Sequence, residues 1–290
     1  MHMRNRAQTI TDHRERLNSV LIYIEENLDD PLSLKTLARV ACFSPFHFHR
    51  IFAAYVGETL NDYVRRLRLE KAALRLSYSG RLVTSIALSA GYETPAAFTR
   101  AFKQSFGKSP SQFKATRQSQ LTKLLAPGFA LKRMKNVKPE IRVLQNQKVI
   151  FMRSTGDYDK SPYQAWDKLR KYADSRGIEY HEAQAIGICR DNPDITPEPK
   201  VRYDACLTID GNIPPEGEVG VYTLSGGNYA IFLHKGPYAG LGKTYDAIFA
   251  QWLPASGKTL RDHPYFEVYL NDHRETKPAN LKTEICVPIE

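Results

Sequence analysis

The sequence predicts an all-α N-terminal domain with two helix-turn-helix units, followed by an α+β domain made of a duplicated ββαββ antiparallel-sheet module with a central cleft. Three observations predict it. Apolar residues recur with a period near 3.6 from residue 11 to residue 114. From residue 139 the period becomes two, and the pattern returns after about 80 residues. The charge divides in the same region: residues 1–118 carry +8, from 18 basic and 10 acidic side chains, 119–148 carry +6 and 149–290 carry −4. A basic front half points to a polyanionic partner and an acidic back half to a different duty.

Composition removes several classes. At 290 residues the chain is long for one ordinary core and suits two domains. It has no unbroken apolar run of membrane-spanning length, and its Arg-containing start, with no apolar stretch after it, is not expected to act as a signal peptide. Cys42, Cys189, Cys206 and Cys286 are scattered without a C-x-x-C pair and read as reduced small hydrophobes. The cytoplasm is the expected compartment, with association to the nucleoid when DNA is bound.

The helices follow in order. Leu17, Val20, Leu21, Ile24 and Leu28 form one stripe, ended by Asp29-Asp30-Pro31. Ser33 caps a short helix carrying Leu34, Leu37, Ala38 and Ala41. After the break at Cys42-Phe43, Ser44-Pro45 opens the next, because a hydroxyl there accepts from an orphan N–H and proline lacks only a donor that no carbonyl needs. A basic helix, roughly Thr59 to Ser77, leads to a second copy. In it Ile86, Ala87 and Ala90 end at Gly91, Thr94-Pro95 reopens the helix, and Gly107 supplies a left-handed cap. Phe48, Ile51, Phe52 and Tyr55 are the expected buried stripe of the first unit, and Phe98, Ala101, Phe102 and Phe106 that of the second.

The opposite faces carry Phe46, His49, Arg50 and Ala53 in one copy and Ala96, Thr99, Arg100 and Lys103 in the other. Such faces fit a major groove: arginine grips guanine bidentately, and Phe46 or Ala96 meets a thymine methyl. His47 and His49, two apart on a helix, make a poor metal pair, and neither H-E-x-x-H spacing, a Ser-His-Asp set nor a phosphate loop is present. No metal and no cofactor are expected.

Residues 17–114, including AGYETPAAFTRAFKQSFGKSPSQFK, IEENLDDPLSL and SPFHFHRIF, resemble the AraC/XylS family, and in particular its Rob-type members. The resemblance implies seven helices and recognition helices in successive major-groove segments of a double-stranded operator. By position it implies DNA contacts from Phe46, His49, Arg50, Ala96, Thr99 and Arg100, with Lys103 supporting affinity. Two departures stand out. Cys42 occupies a turn position where relatives have Gly, which predicts strain, and Pro95-Ala96 replace polar residues, which shifts sequence discrimination to the first unit.

The domains are thus expected at 1–114 and 139–290, joined by a basic linker at 115–138. The second domain divides into repeats 139–210 and 218–290. In each repeat two strands are expected around a tight turn, at Asn146-Gln147 and Gly226-Gly227, followed by a helix and two further strands. In PYFEVYLN, Phe266, Val268 and Leu270 share one face, expected under the helix, and Tyr265, Glu267 and Tyr269 share the other. The matching strand AIGICR has Ala185 and Gly187 in place of Tyr265 and Glu267, so space is expected beside an acid and aromatics. That composition suits a small, flat, apolar or cationic molecule. Asp204 and Glu284 occupy matching places and read as sheet-stabilising.

HKGPYAGLGKTYDAIFAQWLPASG, PYFEVYL and TEICVPI resemble the gyrase-inhibitory-protein-like effector domain. The resemblance implies that Glu267 is the ligand-facing acid, with Tyr269, Trp252, Tyr229, Tyr163 and Trp166 around it, and strand parity adds Tyr265 to the ligand-binding group. Joined, the halves read as a non-enzymatic transcriptional regulator, an activator that recruits RNA polymerase when a small-molecule effector binds. Two alternatives stay open: a glutamate-dependent hydrolase of strained electrophiles, and a protein-binding module.

Overall fold

The computed structural model describes residues 6–125, 138–178 and 183–290; most of the expected linker, residues 126–137, lies outside the described residues. The chain divides into two compact units, Met1–Thr116 with Pro214–Gly220, and Arg117–Ile213 with Val221–Glu290.

The first unit contains α1 (Arg6–Glu26), α2 (Leu34–Val40), α3 (Pro45–Val56), α4 (Leu60–Tyr78), α5 (Val83–Ser89) and α6 (Pro95–Phe106), and α7 (Pro110–Leu125) runs through the boundary expected at residue 114. The capping chemistry is local. Ser44 accepts from the His47 N–H and Thr94 from the Ala97 N–H at 3.3 and 3.2 Å, and Gly57 and Gly107 close the same helices in the left-handed conformation. The two turns also match: Phe43 N–H bonds to Ala38 O and Tyr92 N–H to Ala87 O. Gly91 adopts φ +79° at no steric cost, whereas Cys42 is held at φ +52°, a conformation in which its Cβ crowds the backbone.

Phe48, Phe52, Phe98 and Phe102 are fully buried. Tyr55, expected in the first stripe, is 40 % exposed: it lies in the last turn before the Gly57 cap, where the helix runs out of core to face. α4 links the copies. Arg66 pairs with Glu58 and Glu70, Lys71 and Arg75 with Asp29, Arg75 also with Ser89, and Arg68 with the carbonyls of Leu28 and Asp30. Burial alone would raise the Asp29 carboxyl, but Arg75 and Lys71 bring it below the ordinary value.

The second unit is an eight-stranded antiparallel sheet in the order β1-β6-β8-β7-β3-β4-β2-β5. Its strands are β1 (Glu140–Leu144), β2 (Gln147–Thr155), β3 (Ala185–Cys189), β4 (Arg202–Thr208), β5 (Val219–Leu224), β6 (Gly227–Lys235), β7 (Phe266–Tyr269) and β8 (Lys282–Pro288). The expected hairpins do not form. β1 pairs with β6 of the other repeat, and β5 lies beside β2, so each repeat gives its first strand to the other.

The reason is in the backbone. A two-residue hairpin turn of type I′ or II′ needs positive φ at its first central residue, and neither Asn146 nor Gly226 has it, although Gly227 does at φ +114°. Both links pass straight on and cross. Gly226 permits the crossing, since a Cβ there would collide with the carbonyl oxygen of Leu144 and lie 2.7 Å from the carbonyl carbon of Gln145.

α8 (Ser161–Arg176) follows β2, and α9 (Leu241–Ala247) follows β6 and continues through a π-helical turn, Ile248–Trp252, into α10 (Leu253–Ser256). The core under α9 contains Ala230, Phe232, Ile248, Ile285 and Val287. Glu267 lies directly across from Ile285, so the helices cover the Glu267 face. The expectation that they cover Phe266 and Val268 is therefore reversed: both faces of β7 are buried, and alternation alone cannot say which one a helix covers.

Candidate DNA-reading surface and effector site

Two sets of basic residues in the first unit differ in their partners. Those on α4 are engaged with carboxylates and carbonyls, as described, and act as scaffold. Arg50, Arg100 and Lys103 are exposed, and among the described residues their side chains make no ion pair. Cations outside ion pairs, which in this unit also include the exposed Lys35, Arg39 and Lys108, are the ones available to a phosphate backbone or a base edge.

Within each reading face the geometry differs. Phe46 is 70 % exposed, and the Arg50 guanidinium lies over its ring at 5.9 Å, a cation–π contact that holds the arginine outward. His49 is exposed beside them. On α6, Ala96 and Arg100 are exposed, while the Thr99 hydroxyl bonds back to Pro95 O at 2.8 Å. The first copy thus presents a preorganised aromatic–arginine pair, the second a lone arginine among small groups.

The candidate effector site is built around Glu267, 4 % exposed on β7. Its Oε1 accepts from the Tyr245 hydroxyl and its Oε2 from the Tyr269 hydroxyl, both at 2.7 Å. The Tyr269 hydroxyl bonds to that of Tyr203 at 2.9 Å, and Tyr203 in turn accepts from Trp166 Nε1 at 2.9 Å. Burial raises the Glu267 carboxyl above its ordinary range, and the two phenol donors partly counter that.

Gly187 stands beside Glu267 in the β3–β7 register, as the residue types suggested. The space it leaves is not empty, however: a Cβ at Gly187 would collide with the hydroxyls of both Tyr203 and Tyr269, so the missing side chain makes room for that phenol pair.

Of the residues expected here, the structure brings together Glu267, Tyr269, Trp166 and Tyr265. Trp166 meets Tyr269 edge-on at 5.8 Å, and Tyr265 packs on Tyr245 and Phe249 at 5.4 and 5.6 Å. Tyr163, half-exposed, reaches the group through His273, which also contacts Tyr238. Two others are elsewhere. Trp252 lies about two helical turns beyond Tyr245 and packs on Phe232 in the core at 4.9 Å. Tyr229 is on the opposite face, under Arg261 at 4.9 Å and against Phe266. Sequence reasoning missed Tyr203, Tyr245 and Tyr238. For Tyr203 the strand parity of VRYDACL was a usable signal, once β4 is known to adjoin β3.

The expectation for Asp204 and Glu284 concerns the other face of the sheet. Asp204 is fully buried and held by Arg153 and Arg190 at 2.6 and 2.7 Å, and Glu284 pairs with Arg142. Asp204 on β4 is braced from β2 and from the end of β3, and the Glu284 pair reaches across β6 to join β8 to β1.

Residues 137–290 match the family model described as a GyrI-like small molecule binding domain, and residues 37–116 match a helix-turn-helix domain model. The chain is 26 % identical over 288 residues to the right origin-binding protein of Escherichia coli K12, covering 94 % of this chain and 97 % of that protein. It is 30 % identical over 102 residues to the E. coli K12 regulatory protein SoxS, covering 35 % of this chain and 95 % of SoxS. Among solved structures, the DNA-binding domain of AdpA in complex with a target DNA matches 37 % of this chain and 96 % of its own, at 25 % identity and a TM-score of 0.35.

Proposed function

The chain belongs to the GyrI-like small molecule binding family, carries an AraC-type helix-turn-helix domain ahead of that module and is a DNA-binding transcriptional regulator; from that premise we propose how its residues divide the work. Phe46, His49 and Arg50 read bases, Ala96, Thr99 and Arg100 make the second and less selective contact, and Lys103 neutralises phosphate. Glu267, framed by Tyr269, Tyr265, Trp166 and Tyr163 together with Tyr245, Tyr203 and Tyr238, takes a flat aromatic cation. Effector binding biases the form that recruits RNA polymerase in the cytoplasm, so the protein acts as an activator.

One observation carries the effector reading. The buried carboxylates among the described residues are Glu70, Asp191, Asp204 and Glu267. Arg66 pairs with Glu70, Arg202 with Asp191, and Arg153 and Arg190 with Asp204. Glu267 has only neutral phenols as hydrogen-bond donors. A buried anion without a counter-cation is costly to hold, and a cationic ligand removes that cost.

The test is a thermal-shift screen of the full chain against flat aromatic monocations. Binding at a hundredfold excess over Kd stabilises by about 2.7 kcal/mol, and Glu267→Gln should abolish the shift. Persistence of the shift in that variant would move the ligand elsewhere. Chemical turnover of a compound by the parent, lost in Glu267→Gln, would favour the hydrolase reading.

A further inference from the structure

Glu267 has two phenol donors, and they are not held alike. Tyr245 makes one hydrogen bond, to Oε1. It stands on α9, a seven-residue helix that passes directly into a π-helical turn. Tyr269 stands on a central strand with β3 on one side and β8 on the other, and its hydroxyl is bonded twice, to Oε2 and to Tyr203.

The direction of the second bond is fixed from the carboxylate end, since the one Tyr269 proton goes to Oε2 and Tyr269 can then only accept from Tyr203. Trp166 Nε1 is a donor only, so the Tyr203 oxygen accepts there at 2.9 Å. The Tyr203 proton is then directed to Tyr269, and the Tyr269 proton to the carboxylate. Three hydrogen bonds point one way, each strengthening the next. The chain starts on α8 and β4 of the first repeat and ends on β7 of the second.

We propose that Tyr203, backed by Trp166, is a positioning residue for Glu267: it keeps Tyr269 a permanent donor to Oε2 and leaves Oε1, held by Tyr245 alone, as the contact that a ligand N–H takes over. This rests on the reading of Glu267 as the effector-binding acid. The ligand class narrows accordingly, to a flat ring bearing a cationic N–H group that can donate one directed hydrogen bond in place of a phenol. A quaternary cation lacking N–H would leave Oε1 unsatisfied.

The other titratable groups near Glu267 are Cys189 on β3 and Tyr238 before α9. Burial pushes the Cys189 thiol well up and the Tyr238 phenol up to about 12, and Glu267 adds to both shifts. Tyr203, Tyr245 and Tyr269 are likewise raised well above the ordinary phenol value, first by burial and then by Glu267. All five are neutral near pH 7, whereas Asp272 and His273, which adjoin Tyr238, titrate below it, so the Glu267 carboxyl is followed by its own signal.

The experiment follows the side-chain carboxyl carbon of Glu267 by NMR in the full chain, assigned by its absence in Glu267→Gln. Tyr203→Phe keeps the ring and removes only the link; the Glu267 midpoint should rise by about half a pH unit or more, a threefold change in proton affinity. Trp166→Phe should shift it the same way by less. An unchanged midpoint in both variants overturns the proposal.

Benzamidinium serves as the binding probe. Tyr245→Phe should bind it at least as tightly as the parent, and Tyr203→Phe about threefold or more weakly. The reverse order overturns the assignment of Oε1 as the exchangeable contact. Failure of benzamidinium to bind even the parent counts against the effector reading, while the titration still decides for or against the relay.

Discussion

Both halves of this chain are duplications, and the copies have aged differently. The two helix-turn-helix units keep the same cap, the same proline, the same phenylalanine pair and the same left-handed glycine. The two ββαββ repeats keep their frame and exchange their contents. Ala185, Gly187 and Cys189 stand where the second repeat has Tyr265, Glu267 and Tyr269, and Tyr203 stands where it has Thr283. DNA presents the same kind of surface at each successive groove segment, so a duplicate reader can stay a duplicate. A site for one small molecule must instead give bulk to one repeat and leave room in the other, as Gly187 does for the hydroxyls of Tyr203 and Tyr269.

The largest expected effect tests whether matching positions in the two repeats carry equal load. Asp204→Asn leaves Arg153 and Arg190 without their buried anion and should cost about 3–5 kcal/mol in urea unfolding. Glu284→Gln, where the side chain is 20 % exposed, should cost only about 1 kcal/mol. Equal losses would mean that the repeats have not diverged on this face. Acid sharpens the contrast. Burial alone would raise Asp204, but Arg153 and Arg190 hold its carboxyl at about 2, against 3.8 when unfolded. A folded-state value below the unfolded one adds stability that is complete above about pH 4 and is lost as pH falls towards about 2. Asp204→Asn should flatten stability over that window.

Next in size comes the difference between the reading helices. Arg50→Ala should reduce the preference for a selected operator over its point variants by about 1–3 kcal/mol, measured by fluorescence anisotropy on DNA drawn from a random pool. Lys103→Ala should weaken all sites alike and lower the salt slope by about one. Equal effects on preference would break the proposed division between α3 and α6.

The smallest effect concerns the two turns. Cys42→Gly relieves a positive φ at an exposed side chain and should stabilise the full chain by about 0.5–1 kcal/mol in urea unfolding. Gly91→Ala should destabilise it, since its Cβ would fall 2.6 Å from Arg68 Nη1, on a guanidinium already held through Nε and Nη2 by the carbonyls of Leu28 and Asp30.

The helical half was legible because its signals are local. Ser44-Pro45, Thr94-Pro95 and the phenylalanine spacing each act within one or two turns, and even the strain at Cys42 could be read from the turn it occupies. The sheet half was legible as a repeat and as a set of strands, but its pairing was not. Gly226-Gly227 carries the residue types of a hairpin turn, and only the backbone angles reveal that it is a crossing. Tyr203 lies 64 residues before Glu267 in the chain, and strand order alone makes them neighbours. Trp252 was misplaced for a related reason: residue type marks it as a ring that a ligand could use, whereas the core beneath α9 already uses it.

The π-helical turn at Ile248–Trp252 is an i→i+5 winding, a little slack coiled between two stiffer rods. Its winding is wider than that of the α-helical turn before it. The Tyr245 phenol rides on that preceding turn. The hydroxyl over Oε1 therefore borders an irregular stretch of helix, and the one over Oε2 belongs to a strand paired on both sides.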